Sequence, residues 1–355
     1  MKRRVERLRA AAAEAGLDAV LLTSGVNIRY VSGFTSSDAV TLVTERECIL
    51  FTDFRYTIQA KEQSPDFALC EIRPETLRDR IQEALARNRC RRCGFEQRHM
   101  TVAEFQEYRA MPVEFVPFSD EIARLRRIKT PEEIESLRKA QSIADAAYEK
   151  LLQTIHSGMT ERQVVAELNY ISGILGSEGP SFDPIVGSGP NGAMCHAVPG
   201  ERRLQRGDLV VVDFGCTIDG YHSDMTRTFG VIEVDDAARR VYDIVLEAQQ
   251  RALAAVKAGI GGREVDAVAR DYIASQGYGE HFGHGLGHGF GLEIHEAPRA
   301  AMTSHDILEP GMTITIEPGI YLEGNYGVRI EDCCVVTKNG KINLVGSPKE
   351  LLMIS

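Results

Sequence analysis

The stretch LVVVDFG, residues 209–215, is a β-rich apolar run closed by an acid, a large residue and a glycine. Such a run reads as a buried strand. An acid placed after it points into the protein or a cleft, where an unpaired carboxylate is costly to desolvate. The scheme returns at residues 313–319, TITIEPG, with Glu317, Pro318 and Gly319. A second acid follows each segment in strand-like sequence, Asp224 after Asp213 and Glu331 after Glu317. The repetition predicts an internal duplication, two αβ halves facing each other across a cleft. For each acid alone the plainer alternative is an ion pair, with Arg227 and Arg329 available as partners.

Working outward, Thr130-Pro131-Glu132-Glu133 offers an N-cap, a proline at the first helical position and a capping-box acid, so a long helix starts there. Thr160-Glu161 opens a second helix through VVAELNYISGIL, and two more are expected at about 235–257 and 263–275. The chain is longer than one core usually serves. We place the boundary near 125, giving domains 1–125 and 126–355. In the first, the runs DAVLLT, AVTLVT, CILFT, FALCEI, RCGFE and VEFV alternate with helical patterns such as ETLRDRIQEALARN, a mixed α/β layer. Its start, MKRRVERLRAAAAEAGLDAV, has the basic opening of a signal peptide, but Glu6, Glu14 and Asp18 break any apolar core. It reads as an amphipathic helix running into a strand.

Composition narrows the class. Of the 355 residues, 43% are hydrophobic and 26% charged, as in an ordinary soluble globular protein. A net charge of -10 argues against a nucleic-acid partner. No run approaches the length of a membrane span, so a cytoplasmic setting is expected. Eight cysteines in so long a chain imply no disulfide scaffold. Cys90-Arg-Arg-Cys93 is a lone CxxC and reads as reduced thiols near a strand. The segment GSGPNG, 187–192, matches GxGxxG, but no helical period follows it and a dinucleotide site needs one. Neither HExxH nor GxSxG occurs.

Between the two acidic segments lies HGLGHGFGLEIHE, residues 284–296, too rich in glycine for a helix and too rich in imidazole for a linker. If the halves converge, Asp213, Asp224, Glu317 and Glu331 share one pocket, and carboxylates about 4 Å apart repel by roughly 4 kcal/mol per pair at an effective dielectric of 20. Two divalent cations would neutralise this. Oxygen-rich ligation with one imidazole suits Mn²⁺, Co²⁺, Fe²⁺ or Zn²⁺, and the glycines let the backbone pass close to a crowded site.

The ordered motifs SGPNGAMCHAVPG, VVVDFG, GYHSDMTRTFG, HFGHGLGHGFGLEIHEAPR, TIEPGIY and GVRIED resemble the series of the pita-bread metallopeptidases, specifically Xaa-Pro aminopeptidases and Xaa-Pro dipeptidases (prolidases). The resemblance covers about 130–355, and 1–125 is similar to the creatinase-type N-terminal domain of the same proteins. It implies an α/β fold with a creatinase-like domain before a pita-bread domain of pseudo-twofold αβ halves. It implies two divalent ions, Mn²⁺ or Co²⁺ first with Zn²⁺ or Fe²⁺ as alternatives, held by Asp213, Asp224, His288, Glu317 and Glu331. It places His196, His284, His295, Arg299 and Arg329 at the substrate, with Arg299 matching a position that reads a dipeptide's carboxylate. His222, His281 and His305 are left as structural. Cys195 stands where many relatives have proline, which bears on the pocket beside His196.

The activity so implied is hydrolysis of the Xaa-Pro bond of dipeptides or peptide N-termini by a metal-bridging hydroxide, in a homodimer. Glu317 would move the proton, and His295 and His196 would donate to the oxyanion. The substrate is a peptide with proline second. Alternatives are a methionine aminopeptidase, a metal-independent creatinase, or a non-catalytic relative that has lost ligands; the full ligand set speaks against the last two.

Overall fold

The structure, a computed structural model, describes residues 2–355. It divides into two compact units, the first ending at Arg126 and the second running from Arg127 to Ser355. In the first unit, helix α1 (Lys2–Glu14) leads into β1 (Ala19–Leu22), followed by α2 (Gly25–Ser32), β2 (Ala39–Thr44), β3 (Cys48–Thr52), α3 (Thr57–Gln63), β4 (Ala68–Glu71), α4 (Leu77–Arg87), β5 (Arg92–Phe95), α5 (Val102–Arg109), β6 (Glu114–Pro117) and α6 (Ser119–Arg127). All six strand-like runs read from the sequence lie in one mixed sheet, ordered β4-β3-β2-β1-β5-β6. The helix α1 is amphipathic, with Val5, Leu8 and Ala12 buried. Cys90 and Cys93 are buried free thiols, and burial pushes Cys90 up to about 11, which suits packing rather than redox chemistry.

The second unit is built twice over. Its first half comprises α7 (Pro131–Thr154), α8 (Glu161–Ile174), β7 (Ile185–Ser188), β8 (Leu209–Phe214), the short pair β9 (Thr217–Ile218) and β10 (Tyr221–His222), and β11 (Met225–Val231). Its second half comprises α9 (Asp236–Ala255), α10 (Gly262–Ser275), β12 (Gly287–Gly289), β13 (Glu296–Ala300), β14 (Thr313–Ile316), β15 (Gly319–Leu322), β16 (Tyr326–Arg329), β17 (Asp332–Thr337) and β18 (Gly340–Asn343). A last strand, β19 (Met353–Ile354), returns to pair in parallel with β11.

Local chemistry explains the helix starts. The Thr130 hydroxyl accepts from the Glu133 amide while the Glu133 carboxylate accepts from the Thr130 amide, and Thr160 forms the same box with Gln163. In each half two helices cover strands: Ala144, Leu151, Val164 and Leu168 pack with Val210, Val212 and Phe229, and Val241, Val245, Val265 and Ala269 pack with Ile314, Ile316 and Val336. Each half thus owns a core. After β7 the chain turns into a short 3₁₀ segment, Gly189–Ala193, and not an α-helix, so the GSGPNG stretch has no dinucleotide geometry. Among the described residues no helix is long and apolar enough to cross a membrane.

Candidate metal centre

Asp213 is the last residue but one of β8 and pairs with Thr226 of β11. Side chains alternate along a strand, so Asp224, two residues before Thr226, shares the face of Asp213. In the second half, Ile316 at the end of β14 pairs with Asp332 at the start of β17, which sets the flanking Glu317 and Glu331 opposite one another. The two halves meet here, because the Glu331 amide donates to the Thr226 carbonyl at 3.1 Å. The fifth group arrives on β12, whose neighbour β14 lies so close that a Cβ on Gly287 would come within 1.9 Å of the Thr315 carbonyl. Only glycine fits there, and it seats His288 against the acids.

Candidate ligand atoms of Asp224, His288 and Glu331 lie within 4.8 Å of one another. His288 Nε2 is 3.6 Å from Asp224 Oδ2 and 3.3 Å from Glu317 Oε1. Its Nδ1 lies 3.0 Å from the Gly289 carbonyl, which can only accept, so this nitrogen carries the proton and Nε2 presents a lone pair. That lone pair faces carboxylate oxygens. Burial and the neighbouring His295 lower the His288 pKa to about 4, so the ring is neutral near pH 7 and no imidazolium balances the acids.

The acids show the same tension. Burial, then Asp213 and Glu317, raises Asp224 well above the usual carboxylate range. Burial, then Asp224, Glu317 and Asp213, does the same to Glu331. Burial pushes Glu317 up to about 8 against the pull of Arg329 and the Thr315 hydroxyl. Of the two arginines, only Arg329 engages a site acid: its Nη2 donates to Asp213 Oδ2 at 2.6 Å. Arg227 pairs with Asp332 instead, at 2.9 Å. One arginine among four acids leaves negative charge to be balanced. Asp213 Oδ1 and Glu331 Oε1 are buried without a hydrogen-bond partner. Orphaned carboxylate oxygens are expensive, and together with an imidazole lone pair they make a donor set that fits a hard or borderline divalent cation.

The remaining candidates surround this cluster. His284 Nε2 lies 2.9 Å from the Tyr321 hydroxyl, and burial lowers its pKa to about 4. The His295 ring packs edge-on to His288 at 4.4 Å and is exposed. His196 is exposed, and the carbonyl of the preceding Cys195 accepts from Arg329 Nη1 at 3.1 Å. Arg299 pairs with His288 across β12 and β13, so its exposed side chain leaves from the same face. Glu296, three residues earlier at the start of β13, forms a buried pair with Lys129 at 2.7 Å.

Three contributors escaped the sequence reading. Thr226 Oγ1 donates to Glu331 Oε2 at 2.7 Å. Thr315 Oγ1 donates to Glu317 Oε1 and accepts from the His288 amide, both at 3.0 Å. Tyr321 accepts from Arg329 Nη1 at 2.9 Å. The two threonines were visible in principle: each stands two residues from a candidate ligand acid on the same strand face.

Residues 135–338 match metallopeptidase family M24, and residues 4–128 match the creatinase/prolidase N-terminal domain. The chain is 40% identical to the Xaa-Pro dipeptidase of Pyrococcus furiosus over 353 residues, 99% of this chain and 100% of that protein. Among solved structures it superposes on the Xaa-Pro dipeptidase from Bacillus anthracis with a TM-score of 0.96 at 43% identity, covering 99% of both chains. It superposes on the X-Pro aminopeptidase from Thermotoga maritima with a TM-score of 0.93 at 36% identity, again over 99% of both. With both domains matched along nearly the whole chain, the protein belongs to metallopeptidase family M24, in the form that carries a creatinase/prolidase N-terminal domain.

Proposed function

We propose that the chain is an exopeptidase that hydrolyses the bond between a first residue and a following proline, with Xaa-Pro dipeptides as its preferred substrates. The observation that carries this is the cluster of four acids and one imidazole lone pair with two orphaned carboxylate oxygens. Asp213, Asp224, His288, Glu317 and Glu331 would hold a pair of divalent ions, Mn²⁺ or Co²⁺ in the first instance. Such ions supply Lewis acidity and an activated water at neutral pH.

Glu317, steadied by Thr315, takes the proton of the attacking water and delivers it to the proline nitrogen as the C–N bond breaks. That nitrogen has no hydrogen before the transfer, so the delivered proton becomes the leaving amine's. His295 and His196, exposed beside the cluster, donate to the oxyanion, and His284, fixed by Tyr321, borders the substrate. Arg299, in register with His288, receives the dipeptide's carboxylate. The relatives named Xaa-Pro dipeptidase support this choice, and the X-Pro aminopeptidase from Thermotoga maritima supports the second reading, action on longer peptides. A homodimer in the cytoplasm belongs to the same proposal.

The test is metal-free protein reconstituted with Mn²⁺ or Co²⁺ and assayed on Xaa-Pro dipeptides against Xaa-Pro tripeptides. Dipeptides should be cleaved faster, Asp224→Ala should abolish metal binding and turnover together, and Arg299→Ala should raise KM for dipeptides alone. Full activity of the metal-free protein would refute the scheme, and preference for tripeptides would select the aminopeptidase reading.

A further inference from the structure

Among the described residues Arg227 is the largest fully buried side chain, at 1% exposure, and its hydrogen bonds go to none of the four site carboxylates. Its guanidinium is nevertheless saturated. Nη1 donates to the Thr226 carbonyl at 2.9 Å and to the Glu331 carbonyl. Nη2 donates to Asp332 Oδ1 at 2.9 Å and to the Ser347 carbonyl at 2.8 Å, and Nε to the Pro348 carbonyl at 2.9 Å. Asp332 is held in turn from the far side by Lys349 Nζ and by Asn343 Nδ2.

Two features make this more than packing. The carbonyls that Nη1 joins belong to Thr226 and Glu331, the two residues whose side chains also meet, hydroxyl on carboxylate, across the seam between the halves. A planar guanidinium fixes both carbonyls at once, which a lysine ammonium on a flexible stem does not. Two of its backbone partners, Ser347 and Pro348, and the Lys349 that holds Asp332, moreover, lie beyond the residues 135–338 matched to the peptidase family.

We propose that Arg227, braced by Asp332 and the segment Ser347–Lys349, is a positioning residue for the metal centre: it sets the spacing of Thr226 and Glu331 across the seam, and so the C-terminal segment tunes metal affinity. This rests on Glu331 being a metal ligand. Outer partners of ligands typically change affinity by about 10- to 100-fold.

The experiment measures Mn²⁺ and Co²⁺ dissociation constants by chelator competition, and the visible spectrum of the Co²⁺ form, for wild type, Arg227→Lys and Lys349→Met, at a temperature where each metal-free protein is folded by circular dichroism. Arg227→Lys should weaken binding about 10-fold and alter the Co²⁺ spectrum, with kcat recovered by excess metal and KM for the peptide unchanged. Should Arg227→Lys fail to fold, Lys349→Met decides, weakening binding in the same direction by a smaller factor. Folded variants with wild-type affinity and an unaltered Co²⁺ spectrum would overturn the proposal. Wild type that binds no divalent ion would sink the functional reading itself, a distinguishable result.

Discussion

Thr315 shows how much a single hydroxyl decides. It accepts from the His288 amide and donates to Glu317, so it aims two proposed ligands at once. Thr315→Val keeps the shape and removes both bonds. Divalent-metal affinity should fall about 10- to 100-fold, with a loss of about 1–3 kcal/mol in folding stability from the unpaired amide; chelator competition and denaturant titration read the two effects separately. Unchanged affinity would mean that Glu317 needs no such support. The candidate ligand acids are legible because a carboxylate closing a buried strand is anomalous, whereas a threonine inside a strand is ordinary. Arg227 and Arg329 were equivalent partners on sequence grounds. Register separates them, since Arg227 sits between Thr226 and Thr228 and so projects from the opposite face to theirs, toward Asp332.

At the level of elements, the close passage of β12 and β14 is what brings His288 to the acids. Gly287→Ala would place a methyl 1.9 Å from the Thr315 carbonyl, so one strand must move. We expect a loss of several kcal/mol or failure to fold, whereas Gly283→Ala, where a Cβ would meet nothing, should melt within a degree or two of wild type, as harmless surface changes do. Equal melting temperatures for the two variants would sink the argument. The helices were readable because their starts carry local signals, Thr130 with Glu133 and Thr160 with Gln163. The short strands β12, β15 and β16 were not. Their glycines deny them a propensity signal, and pairing with distant partners makes them strands.

For the molecule as a whole, the crowded acids make stability depend on pH. Glu317 is raised to about 8, and Asp224 and Glu331 are raised as well, so the metal-free folded state holds protons that the unfolded chain releases. Stability from these groups is present below the ordinary carboxylate pKa and is lost as pH rises through the folded values, at up to about 1.4 kcal/mol per pH unit per group. His284 and His288, lowered to about 4, act oppositely, but only below about pH 6.5. The metal-free protein should therefore melt at progressively lower temperature from pH 7 to pH 8.5, and Mn²⁺ should restore it most at the alkaline end. A flat calorimetric profile over that range would contradict the raised Asp224, Glu317 and Glu331 carboxyls. The duplication has one more consequence. Asp213 and Asp224 come from the half ending with β11, and His288, Glu317 and Glu331 from the half beginning with α9, while each half keeps its own core. Severed in the link at 232–235, the enzyme would become a two-piece assembly with its proposed ligands divided between the pieces. Sedimentation of the nicked protein should then show the fragments dissociating more readily in chelator than in Mn²⁺, making the ion a cohesive agent as well as a reagent.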